Sequence, residues 1–344
     1  MSKSHFSDFA VGVRACVCVG AVFFALAGAT PAQSETPEFF RIGTGGVDGT
    51  YFPIGSLIAE GITGAGKDAE CAPRDGCGVA GLIAVPQVSN GSVANVEGVA
   101  AGELEAGLAQ ADVVEWAYAG TEIFEAKGKL SGLRAVANLY PESVHIVARA
   151  DAGISEVGDL LGRRVALDEP GSGTLVDARI ILQAYSLGSK DLEPEYIKPG
   201  LARAKLEANT LDAMFMVAGY PTRSIVELAE QIDIQLVEIG ESARQAITRK
   251  YGFLTPGVIP AGTYRGVPET PTLQVGAQLV VSETSDEALI YEVTKALWNA
   301  RTRRLLDSGH PRGKSISLSN SLKGITIPLH PGAERFYREA GVLK

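Results

Sequence analysis

Two glycine-rich turns constrain this chain more than any other feature: Gly43-Thr44-Gly45-Gly46-Val47-Asp48-Gly49-Thr50-Tyr51 and Pro170-Gly171-Ser172-Gly173-Thr174. Each follows a short apolar stretch, Phe39 to Ile42 in one case and Val165 to Leu167 in the other, and each opens a segment that reads as helix. A strand, a glycine turn and a helix N-terminus together leave backbone N–H groups free at the positive end of a helix dipole. Two such turns predict two α/β lobes that face one ligand.

The rest of the chain fits that frame. Short apolar strands alternate with amphipathic helices from Phe39 onward, the pattern of an α/β protein. The spacing predicts a helix over 52–62, strands at 81–85 and 104–109, and two strands at 133–139 and 144–148 separated by Pro141. A helix opened by the second turn should run to Leu187, with Gly188 as its left-handed stop. Leu211-Asp212-Ala213-Met214-Phe215 echoes Leu104-Glu105-Ala106-Gly107-Leu108, so each cycle opens on a glycine turn and closes on an acidic-then-apolar strand. Residues 251–268, rich in Pro and Gly, read as loop, and 273–281 reads as a strand returning to the first lobe. Thr284 with Glu287 forms a capping box for a long helix whose buried stripe is Leu289, Val293, Leu297 and Ala300. A short helix should end the chain.

The N-terminus reads as a signal peptide. Lys3 and Arg14 flank a run of apolar residues, Ala15 to Ala27, followed by Ala29-Thr30-Pro31-Ala32, which predicts cleavage near Ala32 and export to the periplasm. The run is short for a membrane span, which needs about 20 residues. Cys16 and Cys18 would leave with it. Cys71 and Cys77 remain, and in an oxidising compartment they can close a small disulfide loop.

Several chemistries are excluded. A net charge of −9 over 344 residues argues against a nucleic-acid partner. Gly61-Ile62-Thr63-Gly64-Ala65-Gly66-Lys67 resembles a phosphate loop, but Asp68 stands where a magnesium-binding hydroxyl belongs. Asp48 occupies the third glycine position of a dinucleotide fingerprint. Four scattered histidines, His5, His145, His310 and His330, make neither a metal cluster nor a triad, and His145 reads as an outward strand residue. No metal, cofactor or catalytic residue is expected.

Binding groups are better represented. Thr44, Ser89, Asn90, Ser92, Gln110, Ser172 and Thr174 supply hydroxyl and amide groups beside Gly45, Gly46 and Gly173, a set that suits carboxylate oxygens. Tyr51 and Tyr220 could cover the apolar body of a solute or pack in the core. Asp48, Asp168 and Glu169 would repel a multiply charged anion; they either point to solvent or receive an ammonium group, which keeps a zwitterionic amino acid in contention.

Ile42-Gly43-Thr44-Gly45-Gly46 with Thr50-Tyr51-Phe52-Pro53, Gly91-Ser92-Val93-Ala94-Asn95, Gln110-Ala111-Asp112-Val113, Leu139-Tyr140-Pro141-Glu142, Pro170-Gly171-Ser172-Gly173-Thr174 and Ile327-Pro328-Leu329-His330-Pro331-Gly332 resemble the TAXI family, the extracytoplasmic solute receptors of TRAP transporters. The resemblance implies a type II periplasmic binding protein: two Rossmann-like α/β lobes joined by a hinge, lobe I being 38–142 plus 270–344 and lobe II 143–269. It implies a non-enzymatic monomer that binds a small carboxylate or acidic amino acid, such as glutamate or 2-oxoglutarate, and delivers it to a TRAP membrane permease. It places binding positions at Thr44 to Gly46, Ser89 to Ser92, Gln110 and Ser172 to Thr174. A secreted enzyme acting on a small acid through Ser172, or a sensor presenting its solute to a membrane kinase, are the alternatives.

Overall fold

The computed structural model describes residues 38–64 and 76–344. The predicted signal peptide and Cys71 lie outside the described residues; Cys77 is disulfide-bonded. In chain order the elements are β1 (Glu38–Gly43), α1 (Tyr51–Ile62), β2 (Leu82–Gln87), α2 (Ser92–Ala100), β3 (Ala106–Gln110), α3 (Ala111–Ala119), β4 (Leu133–Arg149), β5 (Arg164–Ala166), α4 (Gly173–Ala184), β6 (Glu193–Glu195), α5 (Pro199–Glu207), β7 (Ala213–Ala218), α6 (Arg223–Gln231), β8 (Ile234–Leu236), α7 (Glu241–Lys250), β9 (Thr255–Ile259), β10 (Thr270–Ser282), α8 (Glu287–Leu297), α9 (Ala300–Gly309) and α10 (Pro331–Glu339).

The strands form one sheet ordered β2-β1-β3-β10-β4-β7-β5-β6, with β8 on β4 and β9 on β10. The order shows the same plan twice. In one half β1 lies between β2 and β3, all parallel, and β10 follows antiparallel to β3. In the other β5 lies between β6 and β7, all parallel, and β4 follows antiparallel to β7. The long strands β4 and β10 pair with each other and join the halves. The two sequence cycles thus correspond to two copies of one strand order, and both glycine turns leave the carboxyl ends of equivalent strands, β1 and β5.

Local sequence explains why the turns are held. On α1, Ile54, Ile58 and Ile62 fall on one face and bury against Phe40 and Ile42 of β1. Gly43 has to lack a side chain, because a Cβ there would lie 2.5 Å from Asn95 Oδ1. That space lets the Asn95 amide reach the carbonyls of Thr44 (2.6 Å) and Leu108 (2.7 Å), tying the first turn to β3.

Where the structure departs from expectation, tertiary pairing or capping decides. Pro141 does not interrupt a strand: β4 runs through it beside a bulge in its pairing with β10, where a missing N–H is tolerated. The expected loop at 251–268 contains β9, which finds a partner in β10. Helix α4 stops at Ala184; the left-handed residue is Ser186 (φ 61°), whereas Gly188 is extended at −135°. Asp286, not Thr284, caps α8, its carboxylate accepting from Leu289 N at 2.8 Å. The expected long helix breaks at Asn299, which caps α9, so Ile290, Val293 and Leu297 make the buried stripe and Ala300 is exposed. His145 is fully buried, with Nδ1 2.9 Å from Ser143 O and Nε2 3.0 Å from Tyr264 Oη, because β4 is covered on both faces rather than one.

Helix α10 packs on α8 through Gly332, where a Cβ would lie 2.3 Å from the Glu287 carbonyl oxygen. Gly332→Ala should therefore cost about 1–3 kcal/mol, and an unchanged thermal midpoint would show that the two helices can separate freely.

Candidate functional site

A cavity of about 270 Å³ lies between the two glycine turns. Gly45, Gly46, Tyr51, Ser89, Asn90, Ser92, Gln110, Ser172, Gly173 and Thr174 all line it, so the structure brings together residues from both sequence cycles. Thr44 and Tyr220 do not. The Thr44 methyl packs on α1, where a Cβ on Gly55 would approach it to 2.6 Å, and its hydroxyl donates inward to Gln87 O at 2.8 Å. The Tyr220 ring is stacked 3.7 Å from the Arg312 guanidinium, and Arg312 Nε donates to Tyr220 O at 2.9 Å. Thr44 shapes its turn and Tyr220 anchors the C-terminal arm; neither faces the cavity.

The halves meet directly around the cavity. Gly171 (φ 97°) presents its carbonyl to the Val93 and Ala94 N–H groups at 3.0 and 3.1 Å, so the first turn of α2 is capped by the opposite half. Asn90 Nδ2 donates to Pro170 O at 3.2 Å, and Thr50 Oγ1 donates to Gly219 O at 2.9 Å. A Cβ on Gly173 would lie 1.3 Å from Gln110 Oε1. The glycines of the second turn therefore permit close approach of the two halves as much as they shape the turn.

Carboxyl groups dominate what remains. Asp168 and Asp48, for which solvent and a place beside the solute were both open, line the cavity. Asp168 holds φ 68° and accepts from Glu169 N at 2.8 Å. Burial raises it to about 6 despite that bond. Asp48 lies against the start of α5, where a Cβ on Gly200 would meet its Oδ2 at 2.4 Å. Glu169 pairs with Lys198 at 3.6 Å.

Glu142 carried no site expectation, yet it lines the cavity from β4 at 2% exposure and accepts from Tyr51 Oη at 2.7 Å. Burial pushes its carboxyl up to about 8 and raises the Tyr51 phenol as well. Its sequence signal was a charge in the middle of a strand-forming run, masked by the expectation that Pro141 broke the strand. Behind Gln110, Asp112 of α3 and Asp177 of α4 are fully buried, one from each half, and both Asp112 carboxyl oxygens and Asp177 Oδ1 lack a hydrogen-bond partner. Gln110 Nε2 donates to Asp177 at 2.8 Å, and no cation neutralises the pair; burial first, then mutual repulsion, raises Asp177, and burial raises Asp112. Among the described residues no cluster of three or more His, Cys, Asp or Glu could hold a metal ion.

The fold and the cleft between its halves define the class: this is the fold of type II periplasmic binding proteins. The chain belongs to the NMT1-like family, whose model matches residues 42–341. Among solved structures it resembles a protein of Bordetella bronchiseptica RB50 at 16% identity, covering 88% of this chain and 82% of that one, with a TM-score of 0.50. PhnD1 of Prochlorococcus marinus MIT 9301, solved with methylphosphonate, matches at 10% identity over 89% and 100%, TM-score 0.50. The alkanesulfonate-binding protein SsuA of Xanthomonas axonopodis pv. citri, bound to MOPS, matches at 16% over 90% and 81%, TM-score 0.47.

A carboxyl whose folded value lies above its ordinary one binds more protons in the native state than in the unfolded chain. Its contribution is then complete at low pH and is lost as pH rises between the two values. For Glu142 that window runs from 4.5 to about 8. Glu142→Gln should flatten the loss of thermal stability of the solute-free protein over this interval; equal slopes for both proteins would place Glu142 in contact with water.

Proposed function

We propose that the protein is an exported solute receptor that captures a small polar molecule in the interlobe cavity and releases it unchanged to a membrane permease. The observation that carries this reading is the cavity lined jointly by the two glycine turns, at the carboxyl ends of equivalent strands, where open α/β sheets receive ligands. On this reading the lobes are 38–142 plus 270–344 and 143–269, β4 and β10 form the hinge, and the signal peptide is removed near Ala32, leaving Cys71 and Cys77 to close a disulfide. The resemblance to the TAXI family supports a TRAP permease as the receiver and a carboxylate on the solute. Thr50 provides no side-chain cap to α1, which leaves its first-turn N–H groups available to such a carboxylate.

Turnover has little support. Ser172 Oγ accepts from Leu175 N at 3.1 Å as a helix cap, and no histidine lines the cavity.

Calorimetry and thermal shift against small organic acids, amino acids, sulfonates and phosphonates test the receptor reading: at 100 times Kd a solute should add about 2.7 kcal/mol, with one-to-one stoichiometry and full recovery of the compound. Gly173→Ala should fold normally but bind the same solute at least ~10-fold more weakly, since the added methyl collides with Gln110 only when the halves meet. Unaltered affinity in that variant would mean the solute-bound form does not close as seen here.

A further inference from the structure

We infer that the solute presents a protonated nitrogen to this cavity, with Glu142 and Asp168 as its counter-charges. The inference rests on the cavity being the solute site and goes further by naming the charge the solute carries there.

It follows from the charge of the lining. Several of the hydroxyls and amides there are engaged by the protein itself. Ser89 Oγ lies 3.0 Å from Thr44 O and 2.7 Å from Asn95 Oδ1, and Ser92 Oγ donates to Gln110 Oε1 at 3.3 Å. Asn90 and Gln110 spend amide protons on Pro170 O and Asp177. Tyr51 donates to Glu142. Ser172 and Thr174 accept from Leu175 N and Val217 N. The first turn of α2 is capped by Gly171 O. The N–H groups at the start of α1 remain for an anionic end of the solute, while the charge of the lining is carried by carboxyl groups: Glu142, whose second oxygen has no donor among the described contacts, and Asp168, with Asp48 and Glu169 at the margin.

The charges around Glu142 agree. Tyr51 faces it from α1, Tyr140 from its own strand, Asp112 from α3 and Asp177 from α4; among the described residues the cation acting on it, Arg312, is stacked on Tyr220 and does not line the cavity. Lys198 does line it but is held by Glu169. A bare dicarboxylate would bring two more negative charges into this wall, whereas a protonated amine supplies the positive charge that its carboxyls lack. Because burial holds Glu142 protonated up to about pH 8 in the empty cavity, its ionisation against an ammonium group should release a proton.

Titration calorimetry on the mature protein would compare amine-bearing probes (L-glutamate, L-glutamine, 4-aminobutyrate, putrescine) with deaminated counterparts (glutarate, 2-oxoglutarate, succinate) at pH 7 in two buffers of different ionisation enthalpy. We expect at least one amine to bind at least ~10-fold tighter than its deaminated counterpart, with proton release that disappears in Glu142→Gln, and affinity lowered at least ~10-fold in that variant and in Asp168→Asn. Glu142→Asp should recover part of the affinity. If Glu142→Gln does not fold, the wild-type comparison and Asp168→Asn carry the test. Tighter binding of a deaminated acid overturns the inference and leaves the receptor reading standing. Binding of no probe in either group, nor of any compound in the wider panel, overturns both.

Discussion

The pairing of β4 with β10 is the interaction on which the rest depends. Each is a long strand that leaves one half of the sheet and enters the other: β4 pairs with β10 over its first part and with β7 over its last, and β10 pairs with β9, β4 and β3 along its length. Two antiparallel crossings side by side fix the spacing of the halves and form the covalent connection about which an angle between them could change. The glycine turns then face each other as a consequence of topology, because equivalent strands of two copies of one plan must point their carboxyl ends toward a shared boundary.

At that boundary the chemistry differs from that of either turn alone. A lone strand–glycine–helix unit offers unclaimed N–H groups and attracts anions. When the two halves meet, Gly171 O of the second turn takes N–H groups of α2, and the carboxyls of Glu142 and Asp168 come to line the same space. Part of the donor capacity at the boundary is spent on the contact, and the charge that remains there is mainly that of carboxyls.

This is also where the sequence stopped being legible. The repeated strand–turn–helix cycle, the convergence of Gly45, Gly173 and Gln110, and the α/β class could be read because they rest on local pattern and on a rule of sheet topology. The inward turn of Thr44 could not, since it depends on the space that Gly55 of α1 leaves for its methyl group, a contact that local pattern does not show. Glu142 was hidden because a proline beside it signals a strand end, and only the long-range pairing with β10 overrides that signal. His145 followed the alternation rule for a strand with one wet face, but its strand is buried on both. Asp48 and Asp168 could be read either as solvent-facing or as partners of an ammonium group, because the usual fate of loop carboxylates fails only where another part of the chain covers the loop, and that is not visible in local pattern.

Burying four carboxyls at one boundary has an energetic direction. Glu142, Asp168, Asp112 and Asp177 all favour the neutral form when the halves are together, because their charges lose water without gaining a cation. The penalty falls on the empty closed form and not on separated halves in which the same groups are hydrated. On the receptor reading, closure without a solute is therefore opposed by desolvation at neutral pH, and a solute that brings positive charge favours closure by offsetting that penalty as well as by its own contacts. Selectivity and closure then share one physical origin: the same carboxyls that recognise the charge of the solute hold the empty cleft open until it arrives.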